Sequence, residues 1–151
     1  MKVAILIGSE SDRELIEKGN PYFEYFGIEF DIHVMSAHRN PDLVQSFAKS
    51  AADRGYKIII AGAGMAAHLG GVIAAHTTLP VIGVPLPGSH LNGVDALYSM
   101  VQMPAGVPVA TMAIGSAGAR NAAVFAAQIL ALGNIDIAQK LINFKQNGSK
   151  L

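Results

Sequence analysis

Five short runs of strand character punctuate the chain: KVAILIG (2–8), EFDIHVM (29–35), KIIIAG (57–62), PVIGVP (80–85) and PVATMAI (108–114). Four are almost continuously apolar. A strand with one wet face alternates, whereas a strand apolar at nearly every position is covered on both faces. Longer segments of helical composition separate the runs. One spans about 12–26, one begins at Pro41, a favoured first-turn residue, and a glycine-weakened one covers 65–77. Others lie near 95–102, at 119–132 and at 135–146. Strand–helix alternation of this kind builds a parallel sheet between two helical layers. The expectation is one α/β domain over residues 1–151. It is a three-layer, flavodoxin-like, doubly wound five-stranded parallel sheet with an additional C-terminal helix. No linker, repeat or low-complexity tract divides it. In such folds ligands bind beyond the C-terminal ends of the strands, where the strand order reverses.

Composition narrows the partners. A chain of 151 residues can bury a core without disulfides or metal, and it has no cysteine to supply either disulfides or thiolates. Hydrophobic residues make up 51% and charged residues 15%, against a usual charged share of roughly 25%. Net charge is +0, and no basic stripe exists, so nucleic acid and anionic membranes are poor partners. Residues 58–94 hold no Asp, Glu, Lys or Arg, but His68, His76, His90, many glycines and Pro80, Pro85 and Pro87 interrupt them. A spanning helix needs about 20 continuous apolar residues. The apolar VAILI near the N-terminus is shorter than a secretory core segment. The expectation is a soluble cytoplasmic protein. One this apolar hides surface by self-association. Helix 122–132 is apolar nearly all round and is expected to be buried on every side, partly at a subunit interface.

Three strand ends carry polar or small-residue motifs. GSESD (8–12) follows the first run. Gly8 permits a tight turn, and the start of a helix there offers free N–H groups to an anion; the plainer reading is that Ser11 or Asp12 caps the helix. The motif is neither a P-loop nor a dinucleotide fingerprint. SAHR (36–39) follows the second run. Arg39 offers a planar fork suited to phosphate and His38 a proton near neutral pH, unless they pair with a surface carboxylate and pack locally. AGAGMAAHLGG (61–71) follows the third. Its small residues either let a backbone approach a ligand, with His68 inside the pocket, or merely pack a loose helix on the sheet. His33 is expected on a polar strand face and His76 at a helix surface or interface. His90 lies in a loop (86–93) able to cover a site.

In this order, GSxSD, SAHR and AGAGxAAHL, followed by PVIGVP (80–85), GVDALYSMVQMPAGVPVATMAIG (93–115) and NAAVFAAQIL (121–130), resemble the PurE family, the N5-carboxyaminoimidazole ribonucleotide mutases of purine biosynthesis. The resemblance covers roughly residues 3–132. SAHR with AAHL resembles the mutase type, whereas the CO2-dependent carboxylase type resembles SAHK and lacks AAHL. The family usually reads HRTP and AAHLPG. Here Asn40 and Gly70 stand at the variable places; Asn40 is expected to cap the next helix and Gly70 to loosen the turn after His68.

The resemblance implies an enzyme, an isomerase, forming an octamer with sites near subunit interfaces. It implies no metal, ATP or organic cofactor, and no cofactor motif is visible. The substrate carries a carbamate on an exocyclic nitrogen, and the product carries that carboxyl on C4 of the imidazole. CO2 would be lost, held and recaptured. By resemblance His38 is the acid–base catalyst. Ser9, Ser11, Asp12, Ser36, Arg39, Gly64, Ala66, His68 and Leu69 contact the substrate, with Ser9 and Arg39 at the phosphate and Asp12 at the ribose. The residues alone also allow a non-catalytic nucleotide- or FMN-binding module, in which His38 would be dispensable.

Overall fold

The sheet is built from β1 (Lys2–Ile7), β2 (Glu29–Val34), β3 (Tyr56–Gly64), β4 (Val81–Leu86) and β5 (Ala110–Thr111). The helices are α1 (Arg13–Ile16), α2 (Asn20–Phe26), α3 (Pro41–Ser50), α4 (Leu69–Ala74), α5 (Val94–Val101), α6 (Ser116–Ala131) and α7 (Ile135–Gln146). They are described in a computed structural model that covers all 151 residues. All strand pairs are parallel and the order is β2-β1-β3-β4-β5, as the α/β alternation predicts. The order reverses between β1 and β3, which places the ligand crevice at their C-terminal ends.

Burial explains the sequence pattern strand by strand. Val3–Ile7 of central β1 and all of β4 are buried, hence their unbroken apolar runs. β2 lies at the edge and is only partly covered, hence its alternation. Val3, Ile5, Ile7, Ile58, Ile60, Ile82 and Val84 face α2, α6 and α7 through Phe23, Phe26, Ala123, Ala127, Ile137 and Phe144. The other face, with Ala4, Leu6, Ile59 and Ala61, packs on Val44 and Phe47 of α3, Leu69 and Ile73 of α4, and Met100 of α5. Each fully buried aliphatic side chain contributes about 1.5–3 kcal/mol.

Several boundaries differ from the expectation. The helix over 12–26 is broken: 3-10 turns at Glu10–Asp12 and Glu17–Gly19 flank α1. Pro21 lacks the N–H that would continue the ladder, and Gly19 presses on α6, where a Cβ would lie 2.8 Å from the Ala119 carbonyl oxygen. Only Leu69–Ala74 of 65–77 is helical, because Met65 adopts φ 56° and turns the chain first. β5 pairs over two residues, although Met112 N still donates to Gly83 O at 2.8 Å beyond it. Within the single chain, helix 122–132 is covered along one face only. Its alanine face seats it on the sheet, but Leu132 is 90% exposed. Phe125 and Ile129 line an open apolar cavity of about 400 Å³ with Leu79, Pro80 and Pro108.

His33 lies on a partly polar face, as expected, but it is also packed against an aromatic ring. Its ring packs 4.8 Å from that of Phe47, and its Nε2 is 3.2 Å from the Tyr56 hydroxyl. Tyr56 donates to Asp31 at 2.6 Å, which also holds Lys2 Nζ at 2.6 Å. Burial pushes His33 below the usual histidine range, against the pull of Asp31. Lys2, then Tyr56, hold the Asp31 carboxyl down. A depressed histidine stays neutral in the fold while its unfolded counterpart takes a proton. Stability is therefore full above about pH 6.5 and falls as the pH drops toward the folded value. The thermal midpoint should decline between about pH 7 and pH 5, and His33→Gln should flatten that slope. Melting curves with the same slope in both chains would contradict the assignment.

Candidate active site

Three loops leave the C-terminal edge of the sheet side by side. Gly8 N donates to Gly62 O at 3.1 Å and Met35 N to Ile7 O at 3.0 Å, so the ends of β2 and β3 are both tied to that of β1. In the first loop it is Ser9, not Ser11 or Asp12, that caps: its Oγ accepts from Ser11 N at 3.3 Å and from Ser11 Oγ at 2.9 Å. Asp12 makes no cap bond. Partial burial raises its carboxyl above the usual aspartate range, against a hydrogen bond from the Ser9 backbone.

The second loop, Ser36–Asn40, is a self-closed turn. Asn40 N donates to Ser36 O at 2.8 Å, Arg39 N to Ser36 Oγ at 3.3 Å, and Ser36 N to Asn40 Oδ1 at 3.4 Å. Asn40 thus does not cap α3 with its side chain; it reaches back and braces the turn that carries His38 and Arg39. Both of these are exposed. The ion pairs of the chain join Lys2 to Asp31, Arg13 to Glu10 and Glu17, and Lys18 to Glu14, leaving Arg39 without a carboxylate partner. A fork free of internal partners is available to an anionic ligand.

The third loop follows β3. A Cβ at Gly64 would come within 3.1 Å of Leu86 O, so the glycine lets β3 and β4 end close together. After the turn at Met65, Ala67 N donates to Met65 O at 2.9 Å and His68 N to Ala66 O at 2.7 Å. His68 therefore precedes α4 rather than lying within it. Gly70 is not in a loose turn. It is buried in the first turn of α4, where a Cβ would make ordinary contact with Val109 at 3.4 Å and Ala61 at 3.6 Å. That helical position also tolerates proline, the family's usual residue.

The second and third loops meet. His38 Nε2 and His68 Nδ1 are 2.7 Å apart, with the rings at 82° and centroids 4.9 Å apart. Sequence reasoning placed both histidines at strand ends without pairing them; no local spacing encodes a contact across 30 residues. It also missed a groove of about 330 Å³ behind His68, lined by Gly71, Val72, Ala75, His76, Ser99 and Met103. His90 makes no hydrogen bond or ring contact with the pair; its exposed loop is pinned by Ser89 Oγ accepting from Leu91 N at 3.0 Å. No group of three His, Asp or Glu side chains is arranged to hold a metal ion.

The three loops carry an imidazole pair, an unpaired guanidinium, hydroxyls and a half-buried carboxylate at the C-terminal ends of β1, β2 and β3. That is equipment for proton transfer on a phosphorylated ligand. Comparison with known proteins gives the same direction. The family model described as AIR carboxylase matches residues 2–150. The N5-carboxyaminoimidazole ribonucleotide mutase of Escherichia coli (strain K12) is 52% identical over 145 residues, covering 96% of this chain and 86% of that protein. The protein of the same name from Bacillus subtilis (strain 168) is 51% identical over 145 residues, covering 96% and 90%. Among solved structures, Treponema denticola PurE superposes with a TM-score of 0.87 at 32% identity, covering 98% of this chain and 91% of that one.

Proposed function

The chain belongs to the AIR carboxylase family, and from that membership we infer that it is an isomerase of purine biosynthesis. It moves the carboxyl of N5-carboxyaminoimidazole ribonucleotide from the exocyclic nitrogen to C4. The observation that carries the reading to particular residues is the 2.7 Å contact joining His38 to His68, which brings SAHR and AAHL into one crevice beside GSESD. His38 gives a proton to the exocyclic nitrogen as the carbamate C–N bond breaks. CO2 is held against the small-residue loop at Gly64 and Ala66. C4 attacks it, and His38 takes the C4 proton. The proton is returned, so no metal, nucleotide triphosphate or organic cofactor is consumed.

Ser9 and Arg39 hold the phosphate, Asp12 the ribose hydroxyls, and Ser11, Ser36 and His68 complete the wall; Leu69, whose side chain is buried in the core, meets the substrate through its backbone. The direct test offers purified protein either the N5-carboxy nucleotide or aminoimidazole ribonucleotide with CO2. Efficient use of the first alone supports the mutase; preference for free CO2 makes the chain a carboxylase instead.

Arg39→Ala should weaken substrate binding about ten- to a hundredfold, since a charge-assisted contact is worth roughly 1.5–3 kcal/mol. Lys should restore only part, because a point charge does not reproduce the fork. Titration calorimetry checks both, and unchanged affinity in Arg39→Ala removes the residue from the phosphate site.

The enzyme works in the cytoplasm as a homo-oligomer larger than a dimer, an octamer by its resemblance to the PurE family. The partly bare face of α6 supports this, as do exposed Leu91 in the loop before α5 and Val94, Tyr98 and Val101 along it. Light scattering should find no stable monomer at micromolar concentration; a well-folded monomer would refute the assembly.

A further inference from the structure

The contact between the two imidazoles constrains which nitrogen of His38 does the chemistry. A short N···N contact between neutral rings needs one N–H and one lone pair. With Nε2 of His38 engaged by His68 Nδ1 at 2.7 Å, only Nδ1 of His38 is left for the substrate. We propose that His68 is a positioning residue that accepts the Nε2 proton of His38 and thereby fixes the catalytic imidazole with Nδ1 as its working nitrogen. The inference rests on the reading of His38 as the acid–base group.

The proton balance follows. Loaded His38 carries protons on both nitrogens. Its Nδ1 proton passes to the exocyclic nitrogen as the C–N bond to the carboxyl breaks, leaving neutral His38 with Nε2–H still donated to His68. Nδ1 then takes the proton that leaves C4 when the new C–C bond has formed. The Nε2 proton never moves, and His68 stays neutral throughout.

Two further features suit His68 to this task. Its Nδ1 acceptor requires the proton on its own Nε2, and the ring borders the open groove that also holds His76 and Ser99, so that N–H can be solvated. Its backbone is held on both sides, by His68 N to Ala66 O at 2.7 Å and by Val72 N to His68 O at 2.9 Å. The backbone that carries the acceptor is therefore held before substrate arrives. Without it, neutral His38 can place its proton on either nitrogen, and molecules protonated on Nδ1 have no lone pair facing C4. Partners that orient metal-bound histidines contribute about 10–100-fold, and an effect of the same order is expected for this pair.

The test has two arms. Histidine-selective 15N NMR of the free full-length protein at about pH 8, where unperturbed imidazole is neutral, should show His38 protonated on Nε2 and bare on Nδ1. The opposite tautomer overturns the proposal, whatever the variants do. In kinetics, His68→Leu should lower kcat about 10–100-fold with KM little changed. His68→Asn, whose amide oxygen lies close to where Nδ1 stood, should recover most of the rate and keep the His38 tautomer. Wild-type kcat in His68→Leu, or a change confined to KM, overturns the positioning role. An inactive His38→Asn beside a fully active His68→Leu would sink the positioning role alone. An active His38→Asn would sink the acid–base reading on which it stands.

Discussion

His38→Asn should bind the nucleotide within a few-fold of the parent and turn it over at least about 10²–10⁴-fold more slowly, the usual contribution of one acid–base group. The upper end is expected because in the proposed mechanism the same imidazole serves both proton steps. Asparagine keeps hydrogen-bonding capacity near the backbone but cannot titrate. The turn that carries residue 38 is closed by Ser36 and Asn40 rather than by His38 itself, so the backbone and Arg39 should stay in place. Loss of rate with retained affinity is therefore the signature, opposite to that of Arg39→Ala. Single-turnover kinetics with calorimetry separate the two. Near-normal turnover would move the proton role to His68 or to the substrate.

Gly118→Ala should cost the fold itself. Glycine to alanine inside a helix ordinarily stabilises by up to about 1 kcal/mol. Here the sign reverses. A Cβ at Gly118 would overlap the Ala113 carbonyl oxygen, and it would lie 2.9 Å from that carbonyl's carbon and 3.2 Å from Val84 Cγ1. Neither neighbour is a free side-chain end: one is the backbone entering α6, the other a buried residue of β4. Relief requires α6 to lift from the sheet and loosen the alanine face it buries there. Overpacking costs about 1–3 kcal/mol and occasionally more, and this overlap belongs at or beyond the top of that range. At about 2–4 °C per kcal/mol for a chain of this size, the midpoint should fall by roughly 10 °C, or no folded protein should be recovered. Gly133→Ala, with nothing within 4 Å of its Cβ, is the control and should melt like the parent. An unshifted midpoint in Gly118→Ala would mean that the β5–α6 connection yields more easily than its geometry implies.

These two sites differ in how much of them the sequence revealed. His38 stood out as a candidate, because an imidazole beside an arginine at a strand end is an arrangement with chemical meaning, although only the family resemblance assigns it a catalytic role. Gly118 was not: within SAGARNAA it reads as one more small residue, and its constraint is a carbonyl five positions away folded back against it. The same division runs through the fold. β1, β3 and β4 announced themselves by unbroken apolar runs, and β2 by its alternation as an edge. The break after Ile16 was missed because part of its cause is the distant close approach of Gly19 to Ala119. Asn40 was expected to serve the helix ahead of it, but it serves the turn behind it. Local composition cannot distinguish those two directions.

The position of β1 between β2 and β3 has a consequence for how the site comes into being. His38 hangs from the strand on one side of β1 and His68 from the strand on the other, and the two strands do not pair with each other. Parallel pairing brings together residues far apart in the chain, and such long-range closures are entropically costly and slow relative to helix formation. The imidazoles can meet only after both closures around β1 are complete. A folding intermediate with its helices formed and one flank of the sheet open would hold every catalytic residue and no catalyst. A substitution deep in β1, touching no ligand, would act on the chemistry by changing how often that final closure holds.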